Sequence, residues 1–307
     1  MENKLHISVS PHIHRKRTTT TIMLDVIIAL LPTTIAGVIF FGLRSLAVIG
    51  VCVGTSVLSE FLFNLALKRK QTIKDLSCIV TGLLLALNLP ANAPLWQAAI
   101  GSVFAIIVVK CVFGGIGKNI VNPAITARVF MIIAFSSLTK EFPVPKGVDA
   151  VAGATPLASD TATPLMDLFL GRIGGCIGET CTLALLIGGI YLIVRKVITW
   201  HIPVAFIGTV FIFSFFVNDF SAYEALAQIL SGGLVIGAVF MATDYTTSPE
   251  TPLGKIVFGV GAGLITALIR MVGHYPEGVS FAILLMNILN PYICSLTARK
   301  LFGGGKK

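Results

Sequence analysis

The chain has 307 residues, of which 55% are hydrophobic and only 12% charged, and its mean hydropathy is +0.90. Water-soluble domains carry about 25% charged residues, so this composition excludes an ordinary soluble globule and makes lipid the expected solvent. The net charge of +9 does not point to nucleic acid, because the basic residues gather in short clusters between apolar runs, as they do where they orient a membrane protein.

The first residues are polar, and Arg15-Lys16-Arg17 stands just before the first apolar run. Residues 1–21 therefore read as a retained cytoplasmic tail with no cleavable signal. A bilayer core of ~30 Å needs ~20 apolar helical residues. On that measure ten spans are predicted: 22–43, 46–67, 76–89, 94–113, 125–139, 173–194, 202–217, 225–242, 253–272 and 279–296. The third, fifth and seventh are short, which allows for tilted, broken or re-entrant helices. With the N-terminus inside, the inner segments collect seventeen of the 23 Lys and Arg residues and the outer segments five, Lys110 lying within the fourth span. An odd number of spans would scramble this asymmetry, so both ends are expected in the cytoplasm. The hydrophilic stretch 140–164 then falls on the outer face, and 299–307 form an inner tail.

The two halves, 22–139 and 165–298, share features. Pro90-x3-Pro94-Leu95 is echoed by Pro249-x2-Pro252-Leu253, and Gly101 and Gly115 by Gly259 and Gly273. Asn122-Pro123 corresponds to Asn290-Pro291, and Asp25 to Glu179. Five spans per unit is odd, so the second unit would lie upside down. The predicted fold is an all-α membrane protein of ten helices in an inverted 5+5 repeat. In such folds ligands sit at the repeat interface beside interrupted helices. Here the expected interruptions are Asn88 to Pro94 and Thr243 to Pro252.

The outer stretch contains Asp149-Ala150-Val151-Ala152-Gly153-Ala154-Thr155-Pro156. Its small residues leave the backbone open to a bulky group, and Thr155 offers a hydroxyl. Turn chemistry alone would make it a plain surface turn. The segment resembles, however, the flavinylation motif of the family that includes the D subunit of the Rnf ferredoxin:NAD oxidoreductase and the B subunit of the sodium-pumping NADH:quinone oxidoreductase. It departs from that motif at Ala152, where Ser or Thr is common. Further likeness lies in Met23 to Pro32, in Phe113 to Asn119 with Asn122-Pro123-Ala124, in Met241 to Asp244 and in Tyr275 to Gly278. The short N-terminal tail is closer to the Rnf protein.

The resemblance implies FMN joined to Thr155 through a phosphoester, with Asp149, Gly153 and Ala154 as the motif that a separate flavin transferase recognises. It implies the other subunits of an Rnf complex as partners, an inner-membrane location, a possible second, non-covalent flavin such as riboflavin, and a urea-channel-like architecture. Electrons would pass from reduced ferredoxin to NAD with outward movement of Na+ or H+, and the ferredoxin, NAD and iron–sulfur sites would belong to other subunits. Two other classes remain open at this point: a stand-alone inverted-repeat channel or secondary transporter, and a structural anchor without cofactor.

Charges within apolar spans form the second group of candidates. Asp25, Glu60, Lys110 and Glu179 would each cost at least ~2.5 kcal/mol facing lipid at a helix centre, so they should face protein, water or a partner. Asp25 reads equally as an ion-path residue or as half of a structural ion pair. Glu179 and Asp244 are candidates for an ion path or flavin contacts. No catalytic residue is expected in this chain. The six cysteines form no C-x-x-C pair, so no metal site is expected. Gly114-Gly115-x-Gly117-Lys118 lacks the phosphate-loop spacing and suggests instead a helix end supporting a cofactor pocket. His12-x-His14 lies in the basic tail and reads as solvated. Arg128 and Arg270 stand at predicted span ends, where snorkelling is expected.

Overall fold

A computed structural model of the chain describes residues 18–135, 138, 142–145, 164–218, 220–272 and 278–298. Among them every regular element is helical, and an isolated antiparallel bridge joins Pro90 to Cys176. The helices are α1 (Thr19–Phe41), α2 (Leu43–Ala66), α3 (Ser77–Leu87), α4 (Leu95–Val103), α5 (Pro123–Ala134), α6 (Leu165–Leu170), α7 (Thr182–Val194), α8 (His201–Val217), α9 (Ala222–Leu230), α10 (Leu234–Ile236), α11 (Pro252–Val272) and α12 (Gly278–Thr297). Two of them widen into π-helix: α4 over Phe104–Cys111 and α10 over Gly237–Met241.

Four helices are long and apolar enough to cross a membrane, namely α1, α2, α12 and Pro252–Met271 of α11. A fifth crossing results if α9 and Leu234–Met241 count together across their 66° bend. The other apolar helices among the described residues have 10–17 residues. Large apolar side chains are turned outward along these helices, among them Ile39 (68% exposed), Leu43 (80%) and Leu296 (85%). So much outward apolar surface needs lipid or protein against it, and the chain is an integral membrane protein by composition and surface alike.

Local chemistry sets the helix ends. Thr18 and Thr21 form a capping box at the start of α1. The Asn122 side chain accepts from the N–H groups of Ala124 and Ile125, and Pro123 occupies the first turn of α5, where a missing N–H costs nothing. Asn290-Pro291, its expected counterpart, lies well inside α12 instead.

Packing runs in two sets. α2 lies against α3 and α4, and α8 against α11 and α9; α1 meets α7, and α5 meets α12 across the middle. Gly188 of α7 makes the α1 contact possible, since a Cβ there would sit 2.1 Å from Ala29 O. Such close backbone approach is how helices associate where lipid supplies no hydrophobic drive. The innermost pieces, α3 and Leu234–Met241, are buried on nearly all sides and accordingly apolar all round.

The predicted segments and the helices differ in three places. The segment 173–194 is helical only from Thr182; residues before it run irregularly and bond to the chain leaving α3, through Ile177 N–H to Leu89 O at 3.0 Å and Gly178 N–H to Leu87 O at 2.7 Å. Apolar composition concealed this, because a buried coil satisfied by a neighbouring helix end looks the same as a span. The segment 225–242 begins at Ala222 and breaks after Leu230, at Ser231-Gly232-Gly233. The segment 125–139 ends its helix at Ala134.

Candidate functional site

Two polar regions lie inside this apolar framework, one at each interruption. The first surrounds a cleft of about 780 Å³, part of it open to solvent, between the start of α1, α3, the start of α5 and the connection after Met241. Lys110, on the π-helical part of α4, reaches its wall and is 2% exposed. Its Nζ donates to Glu60 Oε2 at 2.6 Å and to Ser77 Oγ at 2.6 Å. Ser77 Oγ donates onward to Asp75, and Thr72 Oγ1 donates to Glu60 Oε1. A buried ammonium and carboxylate thus neutralise each other, and hydroxyls take up further bonding capacity of both, as a charge pair in low dielectric requires. π-helical widening re-aims one side chain out of the regular helical row, and it is frequent at functional sites.

Asn122 Nδ2 donates to Met241 O at 3.2 Å. The Asn287 amide, from α12, accepts from Asn122 N–H at 3.1 Å and donates to Thr247 O at 3.2 Å. Asp244 lines the same cleft. Its carboxylate accepts from Thr246 N–H (3.4 Å), Thr246 Oγ1 (2.8 Å) and Thr247 Oγ1 (3.2 Å). Burial raises its pKa above the usual 3.8, and the threonine bonds oppose that rise without cancelling it. Ile116 and Asn119, beside the glycine-rich turn, also face the cleft. Gly114, Gly115 and Gly117 adopt φ of 112°, 92° and 86°, a left-handed backbone that favours glycine in this turn.

The second region is a small closed pocket at the other end of α3. Asn88, Glu179, Met241 and Ser280 contribute to its wall, with Gly233 and Gly237 opposite. Glu179 is 4% exposed. It sits in the irregular stretch before α7, where its Oε1 accepts from Cys176 N–H at 3.0 Å. Sequence alone places Glu179 early on a spanning helix; the structure corrects that. The bonds from Ile177 and Gly178 to α3's exit anchor this stretch, so the carboxylate and Asn88 are brought together by the same few hydrogen bonds.

Asp25 is held elsewhere. On α1 it accepts from Arg195 Nη2 at 3.1 and 3.3 Å and from the Tyr191 hydroxyl at 3.1 Å, joining α1 to α7. Its geometry is that of a structural ion pair. Arg128 and Arg270 do not snorkel. Arg128 is 2% exposed, with Nη2 3.2 Å from Cys176 Sγ. Arg270 donates to Gln228 O at 2.6 Å and Ser231 O at 3.2 Å, tying down the break between α9 and α10. All six cysteines are free thiols, and no cluster of potential metal ligands occurs among the described residues. Asp149, Gly153, Ala154 and Thr155 lie outside the described residues, as do His12 and His14. Phe142 and Pro143, which precede Asp149 to Thr155 in the chain, have carbonyls within 4 Å of where a Cβ of Gly174 would be. Phe142 and Pro143 therefore lie beside the Glu179 segment.

An all-helical membrane protein with broken inner helices and buried ion-pairing groups is the class this framework defines. Within that class, the chain belongs to the NQR2, RnfD, RnfE family, whose pattern matches residues 6–303. It is 45% identical to the D subunit of the Na(+)-translocating ferredoxin:NAD(+) oxidoreductase complex of Acetobacterium woodii, over 98% of this chain and 96% of that protein. It is 40% identical to the D subunit of the proton-translocating ferredoxin:NAD(+) oxidoreductase complex of Clostridium ljungdahlii, over 98% and 97%. Identity to the D subunit of the ion-translocating oxidoreductase complex of Escherichia coli is 34%, over 98% and 99%.

Proposed function

We propose that this chain is the D-type membrane component of an ion-translocating ferredoxin:NAD oxidoreductase, carries FMN on Thr155 and relays electrons in step with outward movement of Na+ or H+. The observation that carries this is the end-to-end likeness to proteins so described in two organisms, taken with the Asp149 to Thr155 motif in this chain. The chain would act only with the complex's other membrane and peripheral subunits, because no active site is complete within it, and a transferase would load the flavin.

The proposed architecture is ten crossings of the inner membrane in an inverted 5+5 repeat, resembling a urea channel, with both termini cytoplasmic. Support comes from the seventeen-to-five distribution of basic residues and from the two matching contacts, α1 with α7 and α5 with α12. In that topology the Thr155 stretch faces outward, where an extracytoplasmic transferase reaches it. Flavin supplies the junction between one- and two-electron carriers; the threonine is a tether and holds no electrons. Phe142 and Pro143, upstream of Thr155, lie beside the Glu179 segment, which supports a position for that carboxylate close to the flavin-bearing segment. On the inner side, the cleft walled by Lys110, Asn119, Asn122 and Asp244 is where a second, non-covalent flavin would fit best, Lys110 and the asparagine amides offering donors to its carbonyl oxygens.

Thr155→Ala should abolish the flavin fluorescence of this protein in a denaturing gel. Mass spectrometry of the peptide from Asp149 to Pro164 should find one FMN added with loss of water, on Thr155. Fluorescence retained by the variant would assign the cofactor to another residue.

A further inference from the structure

The wall of the inner cleft offers one acceptor and one donor that the described residues leave unbonded. Asn119 Oδ1 is buried there and has no hydrogen-bond partner. An orphaned buried acceptor costs about 1–3 kcal/mol, so a donor brought by a ligand restores what folding leaves unmet. Lys110 Nζ carries three hydrogens. Glu60 Oε2 and Ser77 Oγ take two of them, and no third partner occurs among the described residues. The charge pair is also lopsided. Lys110 lines the cleft, whereas Glu60 lies behind it and is no part of the wall. The positive end is therefore the one turned toward an occupant. Asp244 is the carboxylate on the wall, and its oxygens are engaged by Thr246 and Thr247 of its own turn. Met23, Val26, Val80, Leu84 and Phe240 make much of the remaining surface apolar. A flat apolar ring with a polar edge suits such a space.

We infer that Lys110 and Asn119 make this cleft selective for redox state, so that it holds the reduced, anionic flavin ring more tightly than the oxidised one. The inference rests on the proposed second flavin and assigns its contacts. The pyrimidine edge of an isoalloxazine carries a carbonyl oxygen at C2 beside an N–H at N3. Those groups complement the third ammonium hydrogen and the orphaned amide oxygen. Reduction by two electrons, with one proton taken up at N5, leaves a negative charge spread over N1 and the C2 oxygen. The ammonium then makes a charge-assisted bond, which is stronger than its bond to the neutral, oxidised ring. A low-dielectric interior enlarges that difference. Asn119 meets N3–H in both states and gains nothing from the charge. Lys110 is thus the selective group and Asn119 the orienting one. Glu60 acts from behind as a positioning residue that fixes where the ammonium stands.

The test is a spectroelectrochemical titration of riboflavin bound to the purified full-length protein carrying Thr155→Ala, which removes the proposed covalent attachment. The midpoint potential of the bound probe, set against that of free riboflavin, gives the ratio of its affinities in the two redox states. With the cleft residues intact the midpoint should lie above the free value. Under mildly acid conditions, where free reduced riboflavin is neutral, its fall with pH should follow one proton per two electrons, not two. That slope is read in protein that keeps Lys110, so it decides the matter even if a cleft variant does not fold. Replacing Glu60→Met and Lys110→Met together removes the ammonium without stranding the carboxylate. The double variant should lose at least about tenfold in its preference for the reduced state, equal to about 30 mV for a two-electron couple. Asn119→Leu should weaken both states alike and leave the midpoint unmoved. Asp244→Asn takes a carboxylate from the same wall and should not lower the midpoint; a fall there would mark general disruption and overturn the inference. So would a double variant whose midpoint and slope match those of protein with Lys110. Riboflavin bound without redox preference defeats the inference alone. If neither redox state binds, the inference and the second-flavin reading fail together, while the flavin on Thr155 is judged separately by its fluorescence in the gel.

Discussion

Glu60 and Glu179 are both carboxylates buried to within a few per cent in an apolar protein, yet their surroundings are opposite in kind. Glu60 is saturated. Lys110 supplies the countercharge at 2.6 Å, Thr72 covers the other oxygen, and Ser77 takes a second of the ammonium's three hydrogens. Glu179 uses Oε1 on the Cys176 N–H and lines a small pocket together with Asn88 and Ser280. Burial alone therefore says little about the role of an intramembrane charge. The decisive feature is the chemistry set against the charge: a countercharge and a hydroxyl at Glu60, a backbone N–H at the wall of a pocket at Glu179.

The largest effect that would test this contrast is at Lys110. Lys110→Met should strand the Glu60 carboxylate in the interior and cost about 3–5 kcal/mol, read as a fall in the thermal midpoint of the purified protein. Replacing Glu60 with Met in the same chain should recover most of the loss, since a buried pair often exchanges for apolar residues at little cost. A single variant as stable as the wild type would show that the pair is not a closed structural unit. By comparison Glu179→Gln should cost less, because glutamine keeps an oxygen for the Cys176 N–H. A loss as large as that at Lys110 would make Glu179 structural as well and erase the distinction.

Asp25 lies between these extremes and should give a smaller change. Its partner Arg195 is 50% exposed, whereas Asp25 itself is 7% exposed. Water screens half of the pair, and exposed pairs contribute about 0–1 kcal/mol. Asp25→Asn retains the Tyr191 hydroxyl bond and should shift the midpoint by no more than that range allows. An effect of several kcal/mol would show that the α1–α7 junction depends on full charge at this position.

How much of this was legible in the sequence follows from the range of each interaction. Hydropathy located the helices because burial in lipid is read residue by residue. It could not separate a helix from the buried coil before Thr182, where backbone groups are satisfied by α3's exit and not locally. Proline marked the interruption after Asn88, although nothing near it in sequence names Ser280 or Gly233 as neighbours. The Glu60–Lys110 pair is separated by 50 residues and the Asp25–Arg195 pair by 170. Each charge was visible as an anomaly, and its partner was not. Arg128 and Arg270 misled for the same reason: near a span end, a long side chain has a ready solvent route, and only the fold shows that Cys176, Gln228 and Ser231 turn both inward. The Thr155 motif is the reverse case, a proposal that rests on resemblance in local sequence alone.

The smallest effect concerns Asp244, in the connection between Met241 and α11, whose pKa burial raises above 3.8. Well below 3.8 the group is protonated in folded and unfolded chains alike and contributes no pH dependence. As pH rises above that value the unfolded chain releases the proton first. The folded state then holds more protons, so stability falls with rising pH until the raised folded pKa is passed. Asp244→Asn removes this titration. Across a pH series starting near 3.8, the wild-type midpoint should therefore drop relative to the variant and then run parallel to it. The drop should be modest, because Thr246 and Thr247 stabilise the carboxylate and offset part of the burial. Wild-type protein gaining stability over the same interval would mean that the threonine bonds outweigh desolvation. The fold would then favour the charged form of Asp244.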